Sequence, residues 1–251
     1  METPAQRIRI VLVGTQHPGN IGSAARALKT MGLRRLALVA PHRYPHAEAS
    51  AMAAGADDVL DQAQVFATLA EAVADCRLVL GCTARDRRVA LEQLLPRTAA
   101  ARACAAANDR EVALVFGRER TGLTNEELQL CHAAVHIPAD PVYSSLNLAA
   151  AVQVLAYEVR LAVLGRTAVD ADAAESRVLA SHAELEGFFA QLAQTLDEID
   201  FHKGRAPESA MRKLRRLYLR ADLDAKDVRL LRGILADAQR MASLARRAGA
   251  L

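Results

Sequence analysis

A chain of 251 residues, 52% hydrophobic and 24% charged, is long enough to bury a proper core and has the composition of a globular protein rather than a disordered or fibrous one. Four cysteines with no C-x-x-C pair suggest neither a zinc site nor a disulfide framework, and Met1-Glu2-Thr3-Pro4 does not open a signal peptide, so a reducing cytoplasm is the expected home. The net charge of +3 is uneven: residues 1–164 hold 17 Lys+Arg against 16 Asp+Glu, residues 165–201 hold 2 against 8, and residues 202–251 hold 13 against 5, which makes the basic tail a candidate for nucleic-acid contact.

In chain order, five apolar runs read as buried strands: Ile8–Val13, Leu36–Ala40, Leu78–Gly81, Val112–Phe116 and Ala134–Ile137. Helical patterns separate them at Gly22–Met31, Thr68–Ala74, Leu91–Ala107 and Asn125–His132, and a further short strand is expected near Asp58–Leu60. Strands alternating with helices predict an α/β fold with a mostly parallel sheet covered on both faces. Ala149–Leu164 reads as one long apolar helix stopped at Gly165, although no apolar run reaches the length needed to span a bilayer. Residues 165–174 read as a linker, and the pattern is wholly helical over Glu175–Leu196, Pro207–Leu219 and Ala225–Ala248, with Asp224 as cap of the last helix. This divides the chain into 1–164, a linker at 165–174, and a helical extension at 175–251.

Three loops follow strands, where open α/β sheets seat ligands. The first, Gly14-Thr15-Gln16-His17-Pro18-Gly19-Asn20-Ile21-Gly22, has glycines that permit close backbone approach, Asn20 as a candidate N-cap, and Arg26 about one and a half turns into the next helix, where its planar fork could reach a phosphate. Its glycines lack the dinucleotide spacing and no Gly-Lys-Ser/Thr is present, which disfavours a nicotinamide enzyme and excludes a P-loop. The second, Gly81-Cys82-Thr83-Ala84-Arg85, suits either a plain turn or a ligand seat, and the basic run Arg85, Arg87, Arg88 suits a solvated face. The third, Gly117-Arg118-Glu119-Arg120-Thr121-Gly122, packs three charges between two glycines directly after a strand, which a turn alone rarely requires. Beyond them, Ser144-Ser145-Leu146-Asn147 sets two hydroxyls and a carboxamide at the mouth of the long helix. His132 and His136 lie four apart on an extended run, so no metal site is expected.

Asn20-x-Gly22-x-x-x-Arg26, Phe116-Gly117-Arg118-Glu119-x-x-Gly122-Leu123 and Ile137-Pro138 through Ser145-Leu146-Asn147-Leu148-Ala149 resemble the three motifs of the SpoU branch of the SPOUT methyltransferases. The run His17–Lys29, with a catalytic domain first and a helical extension second, is similar to the TrmJ type of tRNA 2′-O-methyltransferase. The resemblance implies a trefoil knot and an obligate homodimer with the site at the subunit interface. It also implies S-adenosylmethionine as methyl donor and the ribose 2′-hydroxyl of cytidine or uridine 32 in the tRNA anticodon loop as acceptor. Carried onto matching positions, Arg26, Asn20, Glu119, Ser145 and Asn147 would be catalytic. Thr83, Ala84, Arg85, Gly117, Ile137, Ser144, Ser145, Leu146 and Asn147 would hold the cofactor. Arg26 and Arg118 would meet RNA, joined by Arg212, Lys213, Arg215, Arg216 and Arg220 of the basic tail, where residues 212, 215, 216 and 220 share a helix face. Methylation of ribosomal RNA and a catalytically silent RNA-binding dimer are the competing expectations. No membrane and no metal are expected as partners.

Overall fold

The computed structural model of the chain describes residues 3–84, 91–166, 179–204 and 206–247. It forms two compact units, Met1–Ala174 and Glu175–Leu251.

The first unit is built on a parallel sheet. Its elements run β1 (Ile8–Val13), α1 (Pro18–Thr30), β2 (Arg35–Val39), α2 (Ala47–Ala53), α3 (Asp57–Asp61), β3 (Gln64–Phe66), α4 (Leu69–Ala72), β4 (Cys76–Cys82), β5 (Glu92–Leu94), α5 (Pro96–Ala106), β6 (Glu111–Phe116), α6 (Asn125–Gln129), β7 (Ala133–Val135) and α7 (Leu148–Arg166). The sheet has seven strands in the order β3-β2-β1-β6-β4-β7-β5, and every described pairing is parallel. Central β1 is buried along its whole length because both faces are covered. Ile8, Ile10 and Leu12 join Ala24, Ala25 and Leu28 of α1 and Val152, Leu155 and Val159 of α7 in one core, while Val11 and Val13 join Leu69 of α4 and Leu128 of α6 in the other. Successive side chains of a strand point to opposite faces, so one hexapeptide feeds both cores. Each such Leu or Ile stabilises the unit by about 2 kcal/mol on burial.

Several expectations are corrected. Leu91–Ala107 is not one helix: Glu92–Leu94 pairs with β7, and Pro96, whose ring suits a first helical position, starts α5. Asp57–Asp61 is helical, and the strand lies later, at Gln64–Phe66. Asn20 is not the N-cap of α1; His17 is, with Pro18 opening the helix and Asn20 in its first turn. Gly165 does not stop α7, which continues to Arg166. That helix is long and apolar enough to cross a membrane by length and composition, contrary to expectation, yet it buries Val152, Leu155, Ala156 and Val159 against the sheet.

The second unit consists of α8 (His182–Glu198), α9 (Pro207–Arg220) and α10 (Ala225–Arg247). Ser181 starts α8: its hydroxyl accepts from Glu184 N at 3.3 Å while the Glu184 carboxylate accepts from Ser181 N at 2.7 Å. Asp224 caps α10 as expected, accepting from Lys226 N at 2.7 Å and Asp227 N at 2.8 Å. Phe188, Phe189, Leu192 and Leu219 form the core, with Phe188 meeting Tyr218 edge-on at 4.9 Å. Residues 167–178, which include most of the expected linker and the expected start of α8, lie outside the described residues.

Candidate active site

A parallel sheet brings all its strand ends to one edge, and the loops after β1, β4, β6 and β7 meet at the carboxyl edge of this one. The loop after β6 closes on itself. Gly122 N donates to the Arg118 carbonyl at 2.8 Å, and Arg118 N donates back at 3.3 Å. The two arms lie so close that a Cβ on Gly117 would stand 2.1 Å from the Gly122 carbonyl carbon and 2.2 Å from Leu123 N. Only glycine allows that approach, and Gly122 itself has φ +68°.

This fold-back aims Glu119 at the first loop. Its carboxylate accepts from Gln16 N at 3.1 Å, His17 N at 3.2 Å and Asn20 Nδ2 at 2.9 Å. Burial pulls the Glu119 carboxyl upward, but donation from Asn20 and from the backbone of Glu119, Gln16 and His17 outweighs it and holds the group below the usual carboxylate range. Asn20 Oδ1 then accepts from Asn147 Nδ2 at 3.0 Å, and Asn147 Oδ1 caps α7 by accepting from Ala149 N at 2.9 Å and Ala150 N at 3.3 Å. One hydrogen-bonded chain, Glu119–Asn20–Asn147, therefore ties the three motif-bearing segments together, and each amide side chain has its orientation fixed by the partner on either side.

Beside this chain is an open cavity of about 200 Å³. Thr83, Ala84, Gly117, Ile137, Ser144, Ser145 and Leu146 line it, together with Arg118 and Glu119. Asn20, Arg26 and Asn147 are not among its lining residues, and Arg85 lies outside the described residues. Residues of the motifs and loops that were given no site role also face it, Phe116, Cys82 and Leu148 on the apolar side and Arg120 and Thr121 on the polar side, as does Ala151 of α7. The apolar four were legible as the last residues of strands and the first turn of α7. Burial pushes the Cys82 thiol up to about 12, so it is a small apolar wall and not a nucleophile.

Three further expectations change. Gly22 serves no ligand: a Cβ there would lie 2.0 Å from the Ala49 carbonyl oxygen, so its role is to let α2 rest on α1. Arg118 is not a free cation, because Nη1 and Nη2 pair with the Glu127 carboxylate at 3.0 Å and the half-buried side chain packs against Gly14. Arg215 is turned inward as well, paired with Glu186 and stacked 4.5 Å over the Phe189 ring. The exposed cations of α9 are Arg212, Lys213, Arg216 and Arg220. Arg26 is exposed and makes no hydrogen bond or ion pair among the described residues.

A fold of this order, with a loop cluster of this kind at its carboxyl edge, has close relatives. The model of the SpoU rRNA Methylase family matches residues 7–157, and that of the tRNA methyltransferase TrmJ C-terminal domain matches residues 183–247. The chain is 50% identical over 244 residues to the tRNA (cytidine/uridine/adenosine-2′-O-)-methyltransferase TrmJ of Pseudomonas aeruginosa, covering 94% of this chain and 95% of that protein. It is 52% identical over 233 residues to the tRNA (cytidine/uridine-2′-O-)-methyltransferase TrmJ of Salmonella typhimurium, covering 92% and 96%. The crystal structure of TrmJ from Z. mobilis superposes with a TM-score of 0.79 at 36% identity, over 91% of this chain and 97% of that one. The chain belongs to the SpoU methylase family, and within it stands with the TrmJ methyltransferases.

Proposed function

We propose that this enzyme methylates the ribose 2′-hydroxyl of cytidine or uridine at position 32 of the tRNA anticodon loop, with S-adenosylmethionine as donor, in the cytoplasm. The observation that carries the reading is the Glu119–Asn20–Asn147 chain, which unites the three motif segments around one cavity. The lining fits such a donor: Phe116, Ile137, Leu146 and Leu148 offer an apolar slot for a base, and Thr83, Ser144 and Ser145 offer hydroxyls to a ribose. The donor supplies an electrophilic methyl group on a sulfonium.

The protein's part is then positioning, which can account for much of the rate. Gly117, Ile137 and Leu146 hold the donor, while Asn147 keeps the mouth of α7 in place beside Ser145. Arg26, always charged, is a poor base and a good phosphate fork; it orients the nucleotide, and the hydroxyl proton passes to a phosphate oxygen or water. Arg26 follows Asn20 by six residues, about 9 Å along α1 and on another side of it, which supports a site shared between two subunits. The exposed apolar row Tyr157, Leu161 and Leu164 on α7, spaced i, i+4, i+7, supports the same homodimer. Arg212, Lys213, Arg216 and Arg220 give the helical unit a face for tRNA phosphates. Membership of the SpoU family supports a trefoil knot in the sheet unit.

Incubation of tRNA with S-adenosylmethionine, followed by mass spectrometry of the nucleosides and mapping of the modified position, is expected to give 2′-O-methylcytidine or 2′-O-methyluridine at position 32. Ribosomal RNA serves as the competing substrate, and methylation of that RNA alone would overturn the reading. Arg26→Lys, which keeps the charge and removes the fork, is expected to lower the rate by about 100-fold with tRNA binding retained.

A further inference from the structure

The cations of the first unit are not distributed alike over the two edges of its sheet. At the amino edge most are neutralised, the exception being Arg110 ahead of β6, which is exposed and makes no ion pair among the described residues. Arg9 pairs with Asp75 at 2.8 Å, Arg35 with Glu111 at 2.6 Å, Arg77 with Asp109 at 2.9 Å, and Lys29 and Arg34 with Asp58 at 2.7 and 3.4 Å. At the carboxyl edge two arginines are exposed and make no ion pair among the described residues: Arg43, in the loop after β2, and Arg120, on the rim of the cavity. The nearby carboxylates are not available to them. Glu119 is occupied by Gln16 N, His17 N and Asn20 Nδ2, and Asp140 by Val142 N and Tyr143 N, while Glu127 is held by Arg118. Glu48, near Gly19, and Glu126, in the first turn of α6, are exposed exceptions.

Hydrogen bonds join the two arginines' loops into one strip. His42 N donates to the Thr15 carbonyl at 3.0 Å, and the next residue along, Gln16, donates to Glu119, the neighbour of Arg120. A strip with one unpaired fork on the cavity rim and another in the adjoining loop, with Glu119, Glu127 and Asp140 already engaged by N–H donors, has the chemistry of a polyanion seat. We propose that Arg43 and Arg120 form a phosphate clamp that holds the RNA backbone on both sides of the reacting nucleotide, as a contact set of the sheet unit separate from the basic face of α9. The inference rests on the proposed RNA methyl transfer.

The test is tRNA binding and turnover by the full-length Arg43→Gln, Arg120→Gln double variant, with Arg34→Gln at the amino edge as control. The clamp requires the KM for tRNA to rise roughly tenfold, with the loss falling on KM more than on kcat, and the slope of log binding constant against log salt to become shallower by about 1.5. Arg34→Gln should match the unaltered protein in both respects. An unchanged slope and KM in the double variant overturns the clamp while leaving the methyl-transfer reading intact. Failure of the unaltered protein to methylate tRNA overturns that reading instead, and a salt slope equal in both proteins would then refute the clamp separately. A loss shared equally by Arg34→Gln would show general charge attraction and also refute it.

Discussion

In the sheet unit a methyl added to Gly22 or Gly117 would overlap backbone atoms at 2.0 and 2.1 Å, whereas in the helical unit one added to Gly233 meets nothing within 4 Å. The sheet unit builds its site by pressing backbone against backbone, so it depends on the absence of side chains. The helical unit is held by side-chain packing around Phe188 and Phe189 and leaves its helix surfaces open. Arginine follows the same division. Arg9 has a side chain only 5% exposed and is wedged between Asp75 and Glu111, while the second unit sends most of its cations outward.

Four measurements break or sharpen this contrast. Arg9→Met should cost most, about 4 kcal/mol in urea unfolding, because it removes the buried cation that Asp75 and the Ala72 carbonyl both accept from and leaves Glu111 with Arg35 alone. Gly117→Ala should cost about 3 kcal/mol, roughly a 10 °C fall in melting temperature, and abolish binding of S-adenosylmethionine in calorimetry. A normal melting temperature there would mean the fold-back after β6 is softer than described. Glu119→Gln tests the first loop. The Glu119 carboxyl lies below its unfolded value, so its stabilisation is present above about pH 4.3 and is lost as pH falls through the folded value. Stability measured at pH 6 and pH 3 should therefore drop less in the variant than in the unaltered protein. Smallest and opposite in sign, Gly233→Ala should stabilise α10 by about 0.5–1 kcal/mol, read as slower amide exchange along that helix.

The long buried strands were legible because near-continuous runs such as Ile8–Val13 have no other place in a fold than between two covering layers. The short elements were not. Gln64–Phe66 and Glu92–Leu94 are three-residue edge strands whose side chains are largely exposed, so they carry no periodicity. The loops of the site were legible as glycines and charges set directly after strands. What those residues do was less so, since it depends on partners distant in the chain. Gly22 owes its identity to Ala49, and Arg215 turns inward because Glu186 and Phe189 stand on a helix that begins some thirty residues earlier.

The Asn147–Asn20 bond closes a loop of 127 residues. A nascent chain emerging from the ribosome cannot make it until α7 has begun to appear, long after β1 and α1 have left the exit tunnel. Until then Asn20 has Glu119 as its partner but not Asn147, so the three motif segments cannot be joined before the last strand of the sheet has been made.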